Sequence, residues 1–167
     1  MLFSYYMKNY FQRNKKSPYH ISIGVVLMNK KKEICTMYLK EYSNTAIKTI
    51  KDFHSLVRET LEPNETIEQC INRGLMEELG ATAKINSFLG SMVAITPQED
   101  YMFQKTTLYF LCDLISIDTS KRSKEDKEIG AEICWTPLGE LILKMKGQGK
   151  RLNRDDLDEG VILERIK

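Results

Sequence analysis

Apolar residues recur along this chain in two periods, and the switches between them mark its elements. Ile21–Met28 (ISIGVVLM) is a β-branched apolar run and predicts a buried strand. Asn29–Lys32 predicts a turn, and Glu33–Leu39 (EICTMYL) its hairpin partner. Lys40–Phe53 carries Ser-Asn turn chemistry and then an alternating Ile47/Ile50/Phe53 pattern, so strand and loop both stay open there. Leu56–Glu65 predicts an extended or looped stretch closing on Pro63-Asn64. Thr66–Leu79 predicts a helix: Asn64 or Thr66 can cap it, acids crowd its first turn, and Gly80 stops it. Ile85–Ile95 predicts a strand ended by Thr96-Pro97. Thr106–Ile117 is apolar on both faces, as a central strand requires. Ile133–Trp135 predicts a short strand. Pro137 opens a helix through about Met145, since proline is tolerated in a first helical turn. Asp155–Ile166 predicts a C-terminal helix. Strands and helices interleave, with hairpins as well as crossovers, and this gives an α/β class with a mixed sheet sandwiched by helices.

At 167 residues the expectation is an N-terminal basic and aromatic arm, residues 1–18, and one domain over residues 19–167 that includes the C-terminal helix. No run approaches 18 consecutive apolar residues, so no membrane-spanning helix is expected. Lys and Arg number 25 against 23 Asp and Glu, a balance that gives no reason to expect a nucleic-acid partner. The arm, MLFSYYMKNYFQRNKK, lacks the continuous apolar stretch of a secretory signal. Its Tyr and Phe residues are expected to dock on the domain and are a candidate contact for a homodimer. Cys35, Cys70, Cys112 and Cys134 are scattered, three of them inside apolar stretches. They read as thiols of a reducing cytoplasm rather than a disulfide framework or zinc site. His20 and His54 are isolated and read as structural. Gly147-Gln148-Gly149-Lys150 follows a helix instead of joining a strand to one, so it is not read as a phosphate loop.

The helix over Thr66–Leu79 does something a packing helix does not. At about 100° per residue, Ile67, Cys70, Ile71 and Leu75 form one apolar stripe. Glu78 projects into the middle of that stripe and Glu77 lies on its edge. Burying an ionised carboxylate without a partner costs several kcal/mol, so a cation or a proton must be near. One reading pairs these acids with Lys or Arg. The other places a hard divalent ion, Mg²⁺ or Mn²⁺, between two carboxylates that otherwise repel.

The surrounding residues favour the second reading. They run Glu59-x5-Glu65-x7-Arg73-Gly74-Leu75-Met76-Glu77-Glu78-Leu79-Gly80-Ala81. This resembles the Nudix box: G, five residues, E, seven residues, R-E-U-x-E-E-x-G-U, with U apolar. Glu65, Arg73, Leu75, Glu77, Glu78, Gly80 and Ala81 match at unchanged spacing. Leu56–Thr66 resembles the family's glycine-containing approach to the box. Ile21–Leu39, Thr106–Leu114 and Glu132–Leu141 resemble its opening hairpin, central strand and late strand-to-helix turn, so residues 19–146 are covered. The resemblance implies a Nudix-like α/β/α sandwich with a mixed β-sheet. It also implies Mg²⁺- or Mn²⁺-dependent hydrolysis of a nucleoside diphosphate derivative. The metal would neutralise pyrophosphate charge and help make a hydroxide-like nucleophile. Glu77 and Glu78 would be the metal ligands, and Glu65 an accessory acid. Arg73 would pair with a carboxylate, plausibly Glu65, and hold the loop to the helix.

Three positions depart from the pattern. Glu59 replaces the opening glycine. Asn64 replaces a loop glycine, which is mild because Asn tolerates left-handed backbone. Gly74 replaces the glutamate one turn before Glu77 and Glu78, removing a carboxylate from their face and weakening the helix by about 1 kcal/mol. Either the site is weakened, or acids elsewhere compensate; Glu59, Glu62, Glu99, Asp100 and the Glu125–Glu128 segment are candidates. The alternative function is a non-catalytic Nudix-fold module that senses a nucleotide or docks a protein. The partner is otherwise a small-molecule nucleotide or pyrophosphate. No substrate-reading motif stands out, although Tyr101, Phe103 and Trp135 could stack on a base.

Overall fold

The computed structural model describes residues 14–44, 47–97, 100–123, 131–152 and 157–166. Among the described residues seven strands form one mixed sheet: β1 (Tyr19–Met28), β2 (Glu33–Asn44), β3 (Ile47–Ser55), β4 (Val57–Thr60), β5 (Ala81–Pro97), β6 (Met102–Ile117) and β7 (Glu132–Pro137). The spatial order is β3-β2-β1-β6-β5, with β4 also on β1 and β7 on β2. β1 and β6 are parallel, with Ile23 opposite Leu108, and every other pairing is antiparallel. Helix α1 (Ile67–Leu79) covers one face; α2 (Leu138–Leu152) and α3 (Gly160–Leu163) cover the other.

Alternation along β1 builds both cores. Ile23, Val25 and Leu27 face α1 with Cys35, Met37 and Val57, where they meet Cys70, Ile71, Leu75 and Leu79. Val26 and Met28 face the other way with Ile34, Leu56, Tyr109 and Leu111, against Leu141, Met145, Ile162 and Leu163. Gly24 is required by this second layer, since a β-carbon there would overlap the ring of Tyr109. Each fully buried aliphatic side chain contributes about 1.5–3 kcal/mol. Ile71, Leu75 and Leu79 anchor α1 in this way.

The structure decides one stretch that the sequence leaves open and changes two others. Lys40–Phe53 is strand wherever it is described: β2 runs on to Asn44 and β3 begins at Ile47. Within β3, Asp52 adopts φ +54 and receives the Tyr38 hydroxyl at 2.6 Å, a bond that supports left-handed backbone. Helix α2 does not stop near Met145 but continues through Gly147 and Gly149 to Leu152. The buried Gln148 explains this, because its amide accepts from His54 N at 2.6 Å and donates to His54 O at 2.9 Å. That tether offsets the roughly 1 kcal/mol lost at each helical glycine.

The predicted C-terminal helix over Asp155–Ile166 is corrected. Within its described part the α-helix is the single turn Gly160–Leu163, and residues 153–156 lie outside the described residues. Glu159 stands where a cap would be and makes no capping bond. Its buried carboxylate instead accepts from the Tyr109 hydroxyl at 2.7 Å and from Leu56 N at 3.2 Å, with Arg58 Nε at 3.6 Å. Burial and the Glu159 charge push the Tyr109 hydroxyl well above its ordinary pKa, so it stays a donor. Most of the N-terminal arm, residues 1–13, also lies outside the described residues. No helix among the described residues is long and apolar enough to cross a membrane.

Candidate active site

Helix α1 begins as its sequence dictates. Thr66 is the cap: its side chain accepts from Gln69 N at 3.2 Å, and the Gln69 side chain accepts from Thr66 N at 2.8 Å. Asn64 takes φ +64 in the preceding turn, the geometry that excuses the missing glycine. At the other end Gly80 is left-handed, and its N–H reaches Met76 O at 2.9 Å. These caps fix both ends of the segment that carries the acids.

Arg73 organises the acids. Its Nε donates to Glu65 Oε1 at 2.9 Å and its Nη2 to Glu65 Oε2 at 3.1 Å. Nη1 donates to Glu59 Oε2 at 2.9 Å and lies 3.5 Å from Glu77 Oε2. Nη2 also reaches the Thr60 carbonyl at 2.9 Å. A planar fork of fixed donors suits this task as a lysine would not. The expected Arg73–Glu65 pair is therefore present, and Glu59 and Glu77 join it. The Arg73 hydrogen bonds hold the Glu65 carboxyl below the usual carboxylate range, and the same acids push the guanidinium pKa up. Glu65 further ties the loop by accepting from Glu62 N at 3.0 Å.

Glu77 is half-exposed at the rim, while Glu78 is buried at 9% exposure, as the position of each on the apolar stripe requires. The last turn of α1 is closed from outside. Arg122 Nε donates to the Glu78 carbonyl at 2.6 Å and Ser123 N to the Glu77 carbonyl at 3.0 Å. A cation there suits the negative end of the helix. Arg122 was not singled out by the sequence; it sits in a run of mixed charges with no local pattern to mark it.

The other candidate acids separate. Asp100 pairs with Lys15 at 2.6 Å beside the β5–β6 connection. Glu62 is exposed in the loop. Glu99 and Glu125–Glu128 lie outside the described residues. Of the aromatic candidates, Phe103 is buried, Tyr101 is half-buried and Trp135 packs against the α1 core. Trp135 also lines an open recess with Lys30 and Lys31. A cavity of about 390 Å³ lies on the sheet face that α2 covers, lined by Tyr38, Asp52, His54, Cys134, Lys144 and Arg151.

The donors gathered here are of the oxygen type that hard divalent ions take. Glu59, Glu65 and Glu77 offer only carboxylate oxygens, and these three face a single guanidinium, which leaves negative charge in excess. Among the described residues no three acidic, His or Cys side chains already stand together as a cage. Arg73 occupies the centre of the group, and Glu59 and Glu77 share its Nη1.

Comparison with known proteins bears on the family and the fold. The family model for the NUDIX domain matches residues 18–155. The fold is similar to that of a NUDIX hydrolase from Nitrosomonas europaea, at 15% identity and TM-score 0.54 over 75% of this chain and 76% of that one. It is similar to the MutT protein from Methanosarcina mazei Go1, at 22% identity and TM-score 0.52 over 90% and 97%. A UDP-X diphosphatase shares the fold at 17% identity and TM-score 0.51, over 72% of this chain and 51% of that one. No curated protein sequence matches the chain. The sandwich, the box spacing on α1 and the family model over most of the length lead to one conclusion: this chain belongs to the Nudix family of hydrolases.

Proposed function

We propose that this protein hydrolyses the pyrophosphate linkage of a nucleoside diphosphate derivative with Mg²⁺ or Mn²⁺. The observation that carries the reading is the gathering of Glu59, Glu65 and Glu77 on one guanidinium at the family's box spacing, beside the buried Glu78. In this reading Glu77 and Glu78 hold the ion. When bound, the ion offsets charge on the pyrophosphate oxygens and lowers the pKa of water. Glu65 fixes the approach loop through its own bond to Glu62 N and its paired bonds to Arg73. Arg73 keeps the loop and the helix in one register and limits repulsion among the acids before substrate arrives. Capping of the Glu77 and Glu78 carbonyls by Ser123 and Arg122 holds the last turn in place, and with it the backbone that carries the two acids. A cytoplasmic setting belongs to the same proposal, supported by four cysteines that remain free thiols.

The test is a panel of nucleoside diphosphate derivatives and nucleoside triphosphates assayed for release of nucleoside monophosphate or phosphate. Turnover is expected with Mg²⁺ or Mn²⁺, and is expected to vanish with chelator and in Glu78→Gln. No turnover of any member at high enzyme would overturn the reading. A second reading, a non-catalytic module that senses a nucleotide or docks a protein, is favoured by Gly74 and by the absence of a formed cage among the described residues. Calorimetric binding of a nucleotide without turnover would select it.

A further inference from the structure

Two of the three departures from the box pattern are one event in space. Glu59 stands where the pattern has glycine, and Gly74 stands where it has glutamate. The pairing of Ile23 with Glu59 turns Glu59 toward α1, on the same side as Ile23. There its side chain crosses directly over Gly74. A β-carbon at position 74 would lie 3.2 Å from Glu59 Cβ and 3.3 Å from its carboxyl carbon, and would overlap Cγ outright. The volume that a side chain at 74 would fill is occupied by Glu59, so a side chain there requires Glu59 to move. A site that had simply decayed at Gly74 would leave a gap, and there is none.

We propose that Glu59 and Gly74 are an exchanged pair, in which the carboxylate absent from α1 is supplied from β4 by Glu59 as a third acid toward the divalent ion. This inference rests on the metal-dependent reading above. The head of Glu59 is placed for the role. Its Oε2 and the Oε2 of Glu77 meet the same nitrogen, Arg73 Nη1, at 2.9 and 3.5 Å, so the two carboxylates converge on one point. Arg73 Nη1 lies at that point while its Nε and Nη2 are held by Glu65, so in this proposal metal uptake requires Glu59 and Glu77 to leave Nη1 and leaves the Arg73–Glu65 pair in place. The carboxylate arrives from a strand rather than a helix turn, and the length of the Glu side chain spans the difference.

The exchange is tested on the full chain by titrating Mn²⁺ and following the loss of the free-ion electron paramagnetic resonance signal, with thermal melting in parallel. Glu59→Gln keeps a hydrogen-bonding group for Arg73, so its melting temperature is expected to stay near that of the wild type. Its Mn²⁺ affinity is expected to fall about tenfold or more. Gly74→Glu alone is expected to melt lower, because the two side chains compete for one volume. The reciprocal variant Glu59→Gly with Gly74→Glu is expected to recover both melting temperature and Mn²⁺ affinity. The inference is overturned if Glu59→Gln binds Mn²⁺ as the wild type does, or if the reciprocal variant binds no better than Gly74→Glu. A wild type that takes up no Mn²⁺ overturns the metal reading itself, which separates that failure from the others.

Discussion

Arg73 grips Glu65 with two parallel hydrogen bonds, Nε to Oε1 at 2.9 Å and Nη2 to Oε2 at 3.1 Å. The pair joins the loop that enters α1 to the middle of that helix, eight residues on. Glu65 is 11% exposed and Arg73 24%, so solvent screens the pair only in part. Replacing Arg73 by Lys keeps the charge but loses the fork. Arg73→Lys is expected to destabilise the chain by about 2 kcal/mol, which at this length lowers the melting temperature by about 4–8 °C. A shift under about 1 °C in a thermal melt would show that the fork is dispensable.

Gln148 is buried between the two glycines that failed to end α2. It acts as a strand-like partner for the His54 peptide, accepting from its N–H and donating to its carbonyl. Gln148→Ala leaves both backbone groups unpaired in the interior, at a cost of about 2 kcal/mol or more. Calorimetric melting is expected to show this loss. Unchanged stability would mean that water or another side chain already serves these groups.

The helix and its acids were legible in the sequence because everything that defines them is local. Thr66 and Gln69 cap, Asn64 and Gly80 turn, and Arg73 reaches Glu65 within one loop and two turns. The parts that were not legible depend on partners far along the chain. Arg122 meets the Glu78 carbonyl across 44 residues, Gln148 meets His54 across 94, and Glu159 meets Leu56 across 103. No local pattern marks such pairs, so propensity alone ends α2 near Met145 and runs the last helix unbroken over Asp155–Ile166. Gly74 was legible as a lost carboxylate. That Glu59 fills its space needed the β4 register.

His54 gives a pH dependence of stability. It is 3% exposed, and its Nδ1 lies 3.0 Å from Thr36 Oγ1. Burial, reinforced by Lys144, holds its pKa below the ordinary value, while Asp52 and Glu140 act in the opposite direction. The fold therefore binds this proton less readily than the unfolded chain does. Its contribution is full above the unfolded pKa of about 6.5 and is lost as pH falls from there toward the folded value. Wild-type melting temperature is expected to drop through that window, and the drop is expected to be smaller in His54→Gln. An identical slope in the two proteins would assign the dependence to other groups.

The metal reading puts a divalent ion on the acids of α1, and anomalous diffraction from crystals soaked in Mn²⁺ shows whether one binds there. An anomalous peak is expected within coordination distance, about 2.0–2.3 Å, of carboxylate oxygens of Glu77 and Glu78, with Arg73 still on Glu65. No peak on α1 in a fully soaked crystal, with Glu77 still on Arg73, would contradict it.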